Sequence, residues 1–361
     1  MKELSYDCLN GTHLSAEEEW MPHKALSPKF FEWHYITLPM HGADGHLYFM
    51  FLCCFNFSSD IYKQVATDGH PEMVPEGKKI YSVMAHLCDY TTDMFKSGGG
   101  PVIVSAEDAF DVENNALILQ NPQAGIDVNF RYKGDEVYVY AKTDIFECEI
   151  KCSGGKRVMW MTDTLEKEGF IREGAEDDRS FYYSLPKLPY SGWIRYEDQN
   201  GETHLTDVTG AGWIDRQWGD FLTKTWEWAS FRFADGDRIN GYNFAGGYQV
   251  LVHQKENGET AHYPNYRVIQ KGYACAPDHT WTSYGWDFEL PCKDGFYHLE
   301  PLSPKNFIPT PGNTIFEGLC RIIDKKGNQV GWAAMETMDV KVMHNAPNEE
   351  FNHFASTDEV Q

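Results

Sequence analysis

Turn-forming clusters punctuate this chain at short intervals, and no other feature restricts its fold as strongly. They include Gly42-Ala43-Asp44-Gly45, Lys133-Gly134-Asp135, Gln199-Asn200-Gly201, Asp235-Gly236-Asp237, Glu256-Asn257-Gly258, Asp294-Gly295 and Lys326-Gly327-Asn328. Glycine beside Asn or Asp supplies the backbone geometry of tight hairpin turns. Between the clusters lie short runs of β-branched and aromatic residues, such as 137–140, 248–253 and 296–299. This pattern predicts antiparallel hairpins and an all-β sandwich or barrel. No segment carries a long apolar stripe of helical period. One short helix is expected near residues 89–96, and Gly98 to Gly100 before Pro101 reads as a loop.

The chain has 361 residues, too many for one small barrel, so two tandem β-units are expected. The division read from the sequence is an N-terminal extension over 1–28, a first β-domain over 29–222, a second over 223–345 and a tail over 346–361. Hydrophobic residues make up 42%, enough for two cores. No apolar run spans a membrane, and the first twenty residues lack the charged and apolar regions of a signal peptide. A cytoplasmic protein without stable membrane insertion is therefore expected. The formal charge of −23 repels phosphate backbones, which argues against a nucleic-acid partner.

The nine cysteines are an odd number without a secretory context, which argues against a disulfide framework. Most sit in apolar strand-like runs and read as small core residues. Cys148 and Cys152 lack the second ligand pair that zinc needs. No metal and no cofactor is expected, because the chain carries no phosphate loop, dinucleotide fingerprint or HExxH element.

The most suggestive stretch for chemistry is TDVTGAGWIDRQWGDF, residues 206–221. It sets Asp215 between Trp213 and Trp218, with Gly210, Gly212 and Gly219 allowing close approach of a neighbouring backbone. Side chains of an extended segment alternate between faces. Trp213, Asp215 and Gln217 then share one face, and Ile214, Arg216 and Trp218 the other. A carboxyl held beside an indole in a dry site holds its proton more firmly and becomes a proton donor. The competing reading is a salt bridge to a nearby arginine. Further along, KTWEWASFRF (224–233) places Trp226, Trp228, Ser230 and Arg232 on one face, with Glu227, Ala229, Phe231 and Phe233 opposite. The tryptophans read either as core or as an aromatic wall for a hydrophobic ligand. A late echo, Gly331-Trp332 to Glu336, again puts a glycine and a tryptophan before a carboxylate.

Phe31-Glu32-Trp33-His34-Tyr35, Tyr182-Tyr183-Ser184, Gly212 to Gly219 and Gly331-Trp332 to Glu336 occur in an order that resembles the hydroxyneurosporene synthase/AttH-like family. The resemblance covers roughly residues 30 to 340. It implies two fused lipocalin-like β-domains and a cofactor-independent enzyme with a hydrophobic pocket. That family includes carotenoid 1,2-hydratases and Diels–Alder-type cyclases. In the hydratases an acid of the central motif protonates an alkene, and Asp215 matches its position. Two positions depart from the pattern. His34 stands where a second Trp is usual, and no histidine stands near Tyr182 to Pro186.

Three functions follow as expectations. The first is acid-catalysed hydration or cyclisation at a C=C bond of a hydrophobic polyene or terpenoid, with Asp215 as donor and Glu32 and Glu336 as reserve acids. The second is a pericyclic cyclase, with a hydrogen bond from His34, Tyr35, Tyr183 or Gln217 polarising the substrate. The third is a ligand carrier without chemistry. Catalytic roles fall to Asp215, Gln217 and His34. Substrate contacts fall to Trp213, Trp218, Trp226, Trp228, Tyr35, Tyr183, Glu32 and Glu336.

Overall fold

The computed structural model describes residues 3–4, 12–162, 167–172, 178–222, 226–244, 248–276, 278–293, 295–310 and 313–338. Cys8, Lys224, Asp294 and the tail over 346–361 lie outside the described residues. The fold is all-β and two-domain, of lipocalin-like architecture. The chain divides into one compact unit formed by Met1–Trp160 and Asp177–Leu222, and a second formed by Met161–Glu176 and Thr223–Gln361.

In the first unit a single antiparallel sheet runs, strand by neighbouring strand, through Met94–Ser105, Lys78–Asp89, Leu47–Asn56, Phe30–Gly42, Thr203–Asp220, Arg179–Glu197, Phe146–Ser153, Glu136–Lys142, Ile126–Lys133 and Ala116–Asn121. The sheet curls until its ends meet. Asn121 Nδ2 donates to Pro101 O at 2.8 Å, and the Gly99 amide donates to Asp144 Oδ1 at 2.8 Å. Alternation shows which side faces inward. Phe146, Cys148, Ile150 and Cys152 are buried, while their neighbours Glu147, Glu149, Lys151 and Ser153 are more exposed. The expected hairpin turns are present. Gly45 and Gly201 adopt φ of 86° and 84° in the turns between Phe30–Gly42 and Leu47–Asn56 and between Arg179–Glu197 and Thr203–Asp220.

The helix expected near residues 89–96 is absent. Lys78–Asp89 and Met94–Ser105 are instead two strands of one hairpin, and Gly98 to Gly100 belong to the second. Close packing explains a glycine within this strand: a Cβ on Gly99 would collide with the Val83 carbonyl of the adjacent strand. Among the described residues the one α-helix is Asp60–Ala66.

The residues ahead of the first strand fill the interior of this unit. Trp20 is fully buried. It packs edge-on to His34, Phe130 and Tyr132, with centroids 4.6, 4.8 and 5.6 Å away, and donates its Nε1 proton to Phe130 O. His23 stacks on Trp218 at 4.7 Å. Tyr183 Oη donates to Ala16 O at 2.8 Å. The segment is locked by Arg216, which points inward from the sheet. Its guanidinium donates to Glu32 Oε2 at 2.7 Å and, at 3.2 Å each, to the carbonyls of Trp33, Gln217 and Met21 and to His23 Nδ1. Glu32 also accepts from Asn56 Nδ2 at 2.7 Å and from the His23 amide, and His23 Nε2 meets Glu19 Oε2 at 2.8 Å. Burial alone would raise the Glu32 pKa, but the Arg216 charge and the contact with His23 win and hold its carboxyl well below the usual range.

The second unit repeats the plan. Its sheet runs through Thr260–Tyr263, Gln249–Gln254, Arg238–Phe244, Trp226–Phe233, Gln329–Thr337, Asn313–Ile323, Gly295–Pro301, Trp286–Leu290 and Arg267–Gln270. In both units the last long strand returns to pair with the first, Thr203–Asp220 on Phe30–Gly42 and Gln329–Thr337 on Trp226–Phe233. The core holds Ala229, Phe231, Phe233, Trp286, Phe288 and Phe316, among others. Six of the eight described cysteines are buried, and none pairs with another described cysteine in a disulfide. No helix among the described residues is long and apolar enough to cross a membrane.

Removing one partner of a buried ion pair leaves the other charge uncompensated. Glu32→Gln should therefore lower stability of the first unit by about 3–5 kcal/mol in urea unfolding. A loss below about 1 kcal/mol would place this pair with weak surface bridges. Because the folded-state pKa of Glu32 is depressed, its contribution is complete above the unfolded value near 4.3 and fades as pH falls below it. Wild-type stability should drop more steeply than that of Glu32→Gln on acidification below about pH 4.3.

Candidate functional site

The alternation expected between residues 213 and 218 is present, and it sorts the candidate residues onto two faces. Arg216 and Trp218 point into the filled interior. Asp215, Trp213 and Gln217 point to the opposite face. Strand register extends that face on both sides. Asp215 lies between Tyr35 and Ser184, Gln217 between Trp33 and Tyr182, and Trp213 beside Thr37. The next strand adds Cys53, Phe55 and Phe51 in the same rows. The bulge in this region falls on the partner strand between Leu185 and Leu188, beyond the candidate residues.

Asp215 is 4% exposed. Its Oδ1 accepts two hydrogen bonds from neutral donors, Ser184 Oγ at 2.5 Å and Trp213 Nε1 at 2.8 Å. Two donors on one oxygen fix the carboxyl plane. Gln217 is fully buried and donates from Nε2 to Ser180 Oγ at 2.9 Å. Tyr35 packs edge-on to Phe51 at 5.3 Å. The face thus combines one oriented carboxyl with Trp33, Tyr35, Phe51, Phe55 and Trp213. A close fit of strands underlies it: a Cβ on Gly219 would run into the Arg179 carbonyl and Ser180 of the next strand.

The other candidates of this unit lie elsewhere. His34, Glu32, Trp218 and Tyr183 are in the filled interior, so the structure does not bring them to Asp215. His34 Nε2 meets Trp20 O at 2.8 Å. Burial, reinforced by the Arg216 charge, pushes the His34 pKa well below the usual value and keeps the ring neutral. Trp218 stacks on the His23 ring, and the Arg216 guanidinium carbon lies 5.3 Å from its ring centroid.

In the second unit, Trp226, Trp228 and Glu336 share the face opposite the core, as alternation predicts. Trp226 Nε1 donates to Glu336 Oε1 at 2.5 Å, and Glu336 stands beside Trp228 and Glu317 in the register. Burial raises the Glu336 pKa, against the lowering effect of hydrogen bonds with Glu317 and Trp226. A buried carboxylate that sequence reading left in the core, Glu227, is the more heavily bonded. It accepts from Ser283 Oγ at 2.5 Å, Asn243 Nδ2 at 3.0 Å, Gln270 Nε2 at 2.8 Å and Trp286 Nε1 at 3.2 Å. This many neutral donors suit a permanent carboxylate that ties strands together.

Sequence reading also missed Ser184 as a partner of Asp215. The two are 31 residues apart in the chain, and only strand register joins them. Asp198, Glu202 and His204 place potential ligand atoms within 4.8 Å of one another. They form a hairpin tip, where Asp198 Oδ1 accepts the amides of Asn200 and Glu202.

Comparison with known proteins now adds to this geometry. The AttH-like family profile matches residues 12–338. No curated protein sequence matches the chain. The crystal structure of an AttH from Nitrosomonas europaea superposes with a TM-score of 0.70 at 17% identity, covering 92% of this chain and 98% of the other. Kievitone hydratase from Nectria haematococca superposes with a TM-score of 0.60 at 12% identity, covering 86% of this chain and 88% of its own. At these identities the two structures speak for the fold, while the profile covers both units: the chain belongs to the AttH-like family.

Proposed function

We infer that the chain is a cofactor-independent hydratase-type lyase acting on a hydrophobic, unsaturated substrate of polyene or terpenoid type, with Asp215 as proton donor. The observation that carries this reading is the buried Asp215 carboxyl, oriented by Ser184 and Trp213 on a largely aromatic face. Family membership and the hydratase among its structural neighbours support the reaction class.

The proposed chemistry starts at the Asp215 carboxyl. The protonated Asp215 carboxyl gives its proton to one alkene carbon. The π pair forms the new C–H bond, and positive charge develops on the other carbon. The π faces of Trp213 and Tyr35 stabilise that charge. Water adds to the cation and loses a proton to the carboxylate, which restores the acid. The Ser184 hydroxyl and Trp213 indole N–H stabilise the carboxylate left after the first transfer, when their acceptor carries full charge. Gln217, two residues on, donates to Ser180 on the same face, and on this reading it contacts the substrate.

The decisive experiment is incubation of the purified protein with a panel of apolar alkenes and enones, read by mass spectrometry. A product heavier by one water is expected, and Asp215→Asn should reduce its formation by about 10²–10⁴-fold. Product of unchanged mass that survives in Asp215→Asn would mean a shape-driven cyclase. Ligand bound but unaltered across the panel would mean a carrier.

The two donors should matter separately. Hydrogen bonds to a charged group are worth about 1.5–3 kcal/mol, or about 10–150-fold in rate. Ser184→Ala and Trp213→Phe should each lower kcat by such a factor, with a smaller change in KM. Falls of less than about threefold in both would remove their role in charge stabilisation.

A further inference from the structure

The first unit holds a second group of reactive side chains that the Asp215 chemistry does not use. His86 and Cys88 stand two residues apart on Lys78–Asp89, so both point to one face of the sheet. Cys88 Sγ lies 2.9 Å from His86 Nε2. The other ring nitrogen, Nδ1, lies 2.7 Å from Ser97 Oγ on the neighbouring strand, where Ser97 is the register partner of His86. Phe51 and Phe49 stand opposite His86 and Cys88 on the strand at the other side. Cys88 is 0% exposed and His86 1% exposed.

This is a thiol, a base within reach of it, and a hydroxyl that orients the base. It differs from the setting of other buried thiols here. Burial pushes the pKa of Cys54, Cys148 and Cys152 up to about 12, which leaves them inert at neutral pH. The group lies on the same face of the sheet as Asp215, with Phe51 common to both, but stands well apart from the carboxyl. Asp215 lies opposite Tyr35, Tyr35 opposite Cys53, and Cys53 opposite Met84, four residues short of Cys88. That offset amounts to roughly 14 Å across three strand spacings and roughly 13 Å along the strand.

We propose that Cys88, His86 and Ser97 form a second reactive centre, which takes an electron-poor alkene of the α,β-unsaturated carbonyl class as a covalent ligand. The partner class follows from the nucleophile and its surroundings. A thiolate is a soft nucleophile that adds to conjugated alkenes, and Phe49 and Phe51 supply an apolar wall. His86 donates from Nδ1 to Ser97 and takes the Cys88 proton on Nε2. The sulfur pair forms a bond to the β-carbon, and the π pair moves onto the carbonyl oxygen as an enolate. The His86 proton then passes to the α-carbon. The thiol has added across the double bond, with no oxidant, reductant or leaving group. None of this depends on Asp215 or on the hydratase reading.

The test uses the full chain and cyclohexenone as probe, with adducts followed over time by peptide mapping. Cys53, Cys54, Cys148, Cys152 and Cys320 are buried like Cys88 and serve as internal references. Cys88 should acquire the adduct at least about tenfold faster than any of them. General-base assistance is worth about 10²-fold or more, so His86→Gln should slow the Cys88 reaction by about that factor. Ser97→Ala should slow it by less. Cys88 reacting no faster than the five references in the wild-type chain would overturn the proposal, whether or not the variants fold. Equal Cys88 rates in wild type and His86→Gln would overturn it as well.

Discussion

The contact between Arg216 and Glu32 is the one on which the rest of the first unit depends. Both groups are withdrawn from water, a cost that their mutual attraction alone does not repay. What makes the pair viable is the set of further partners: three carbonyls and a ring nitrogen on the arginine, and an asparagine amide and a backbone amide on the glutamate. Several of these partners belong to the segment that carries Trp20, Met21 and His23. The charge pair thus binds that segment into the barrel, and Trp20 fills the space among His34, Phe130 and Tyr132 that a lipocalin-like barrel would otherwise leave for a ligand. With the interior occupied, Asp215 stands on the other face of the same strand, where the proposed chemistry would take place. One residue of alternation separates Arg216, in the buried ion pair, from Asp215, the proposed proton donor.

The two units solve a similar problem with different charges. The first buries an ion pair. The second buries Glu227 and satisfies it with a hydroxyl, two side-chain amides and an indole. Serine and tryptophan as joint donors to a buried carboxylate therefore occur in both, at Asp215 and at Glu227. The echo between the central motif and Gly331-Trp332 to Glu336 also gains a structural meaning. Each lies on the strand that returns to pair with the first strand of its unit.

Much of the architecture was legible because it rests on local rules. The turn clusters mark real hairpins, and alternation places Trp226, Trp228 and Asp215 on the faces where they are found. The helix expected near residue 89 fails because a short run carries too little pattern to separate a helical turn from a hairpin tip. The Gly98–Gly100 strand was hidden for a related reason: glycine reads as a loop unless the neighbouring backbone is known. The site was legible only in part. Glu32, His34, Tyr183 and Trp218 fall in motifs quoted together with that of Asp215, yet they face the interior. Ser184 and the donors around Glu227 depend on pairing between distant strands, which periodicity within one segment does not carry. The role of Trp20 and His23 is invisible for the same reason, since their partners lie on strands far along the chain.

The proposal that chemistry takes place on the face of Asp215, opposite the filled interior, is tested most directly by where a ligand sits. A crystal structure with a bound apolar, unsaturated ligand should show it against Tyr35, Trp213 and the Asp215 carboxyl, with Trp20 still packed between His34 and Phe130. Ligand inside the barrel, with Trp20 displaced, would contradict the account.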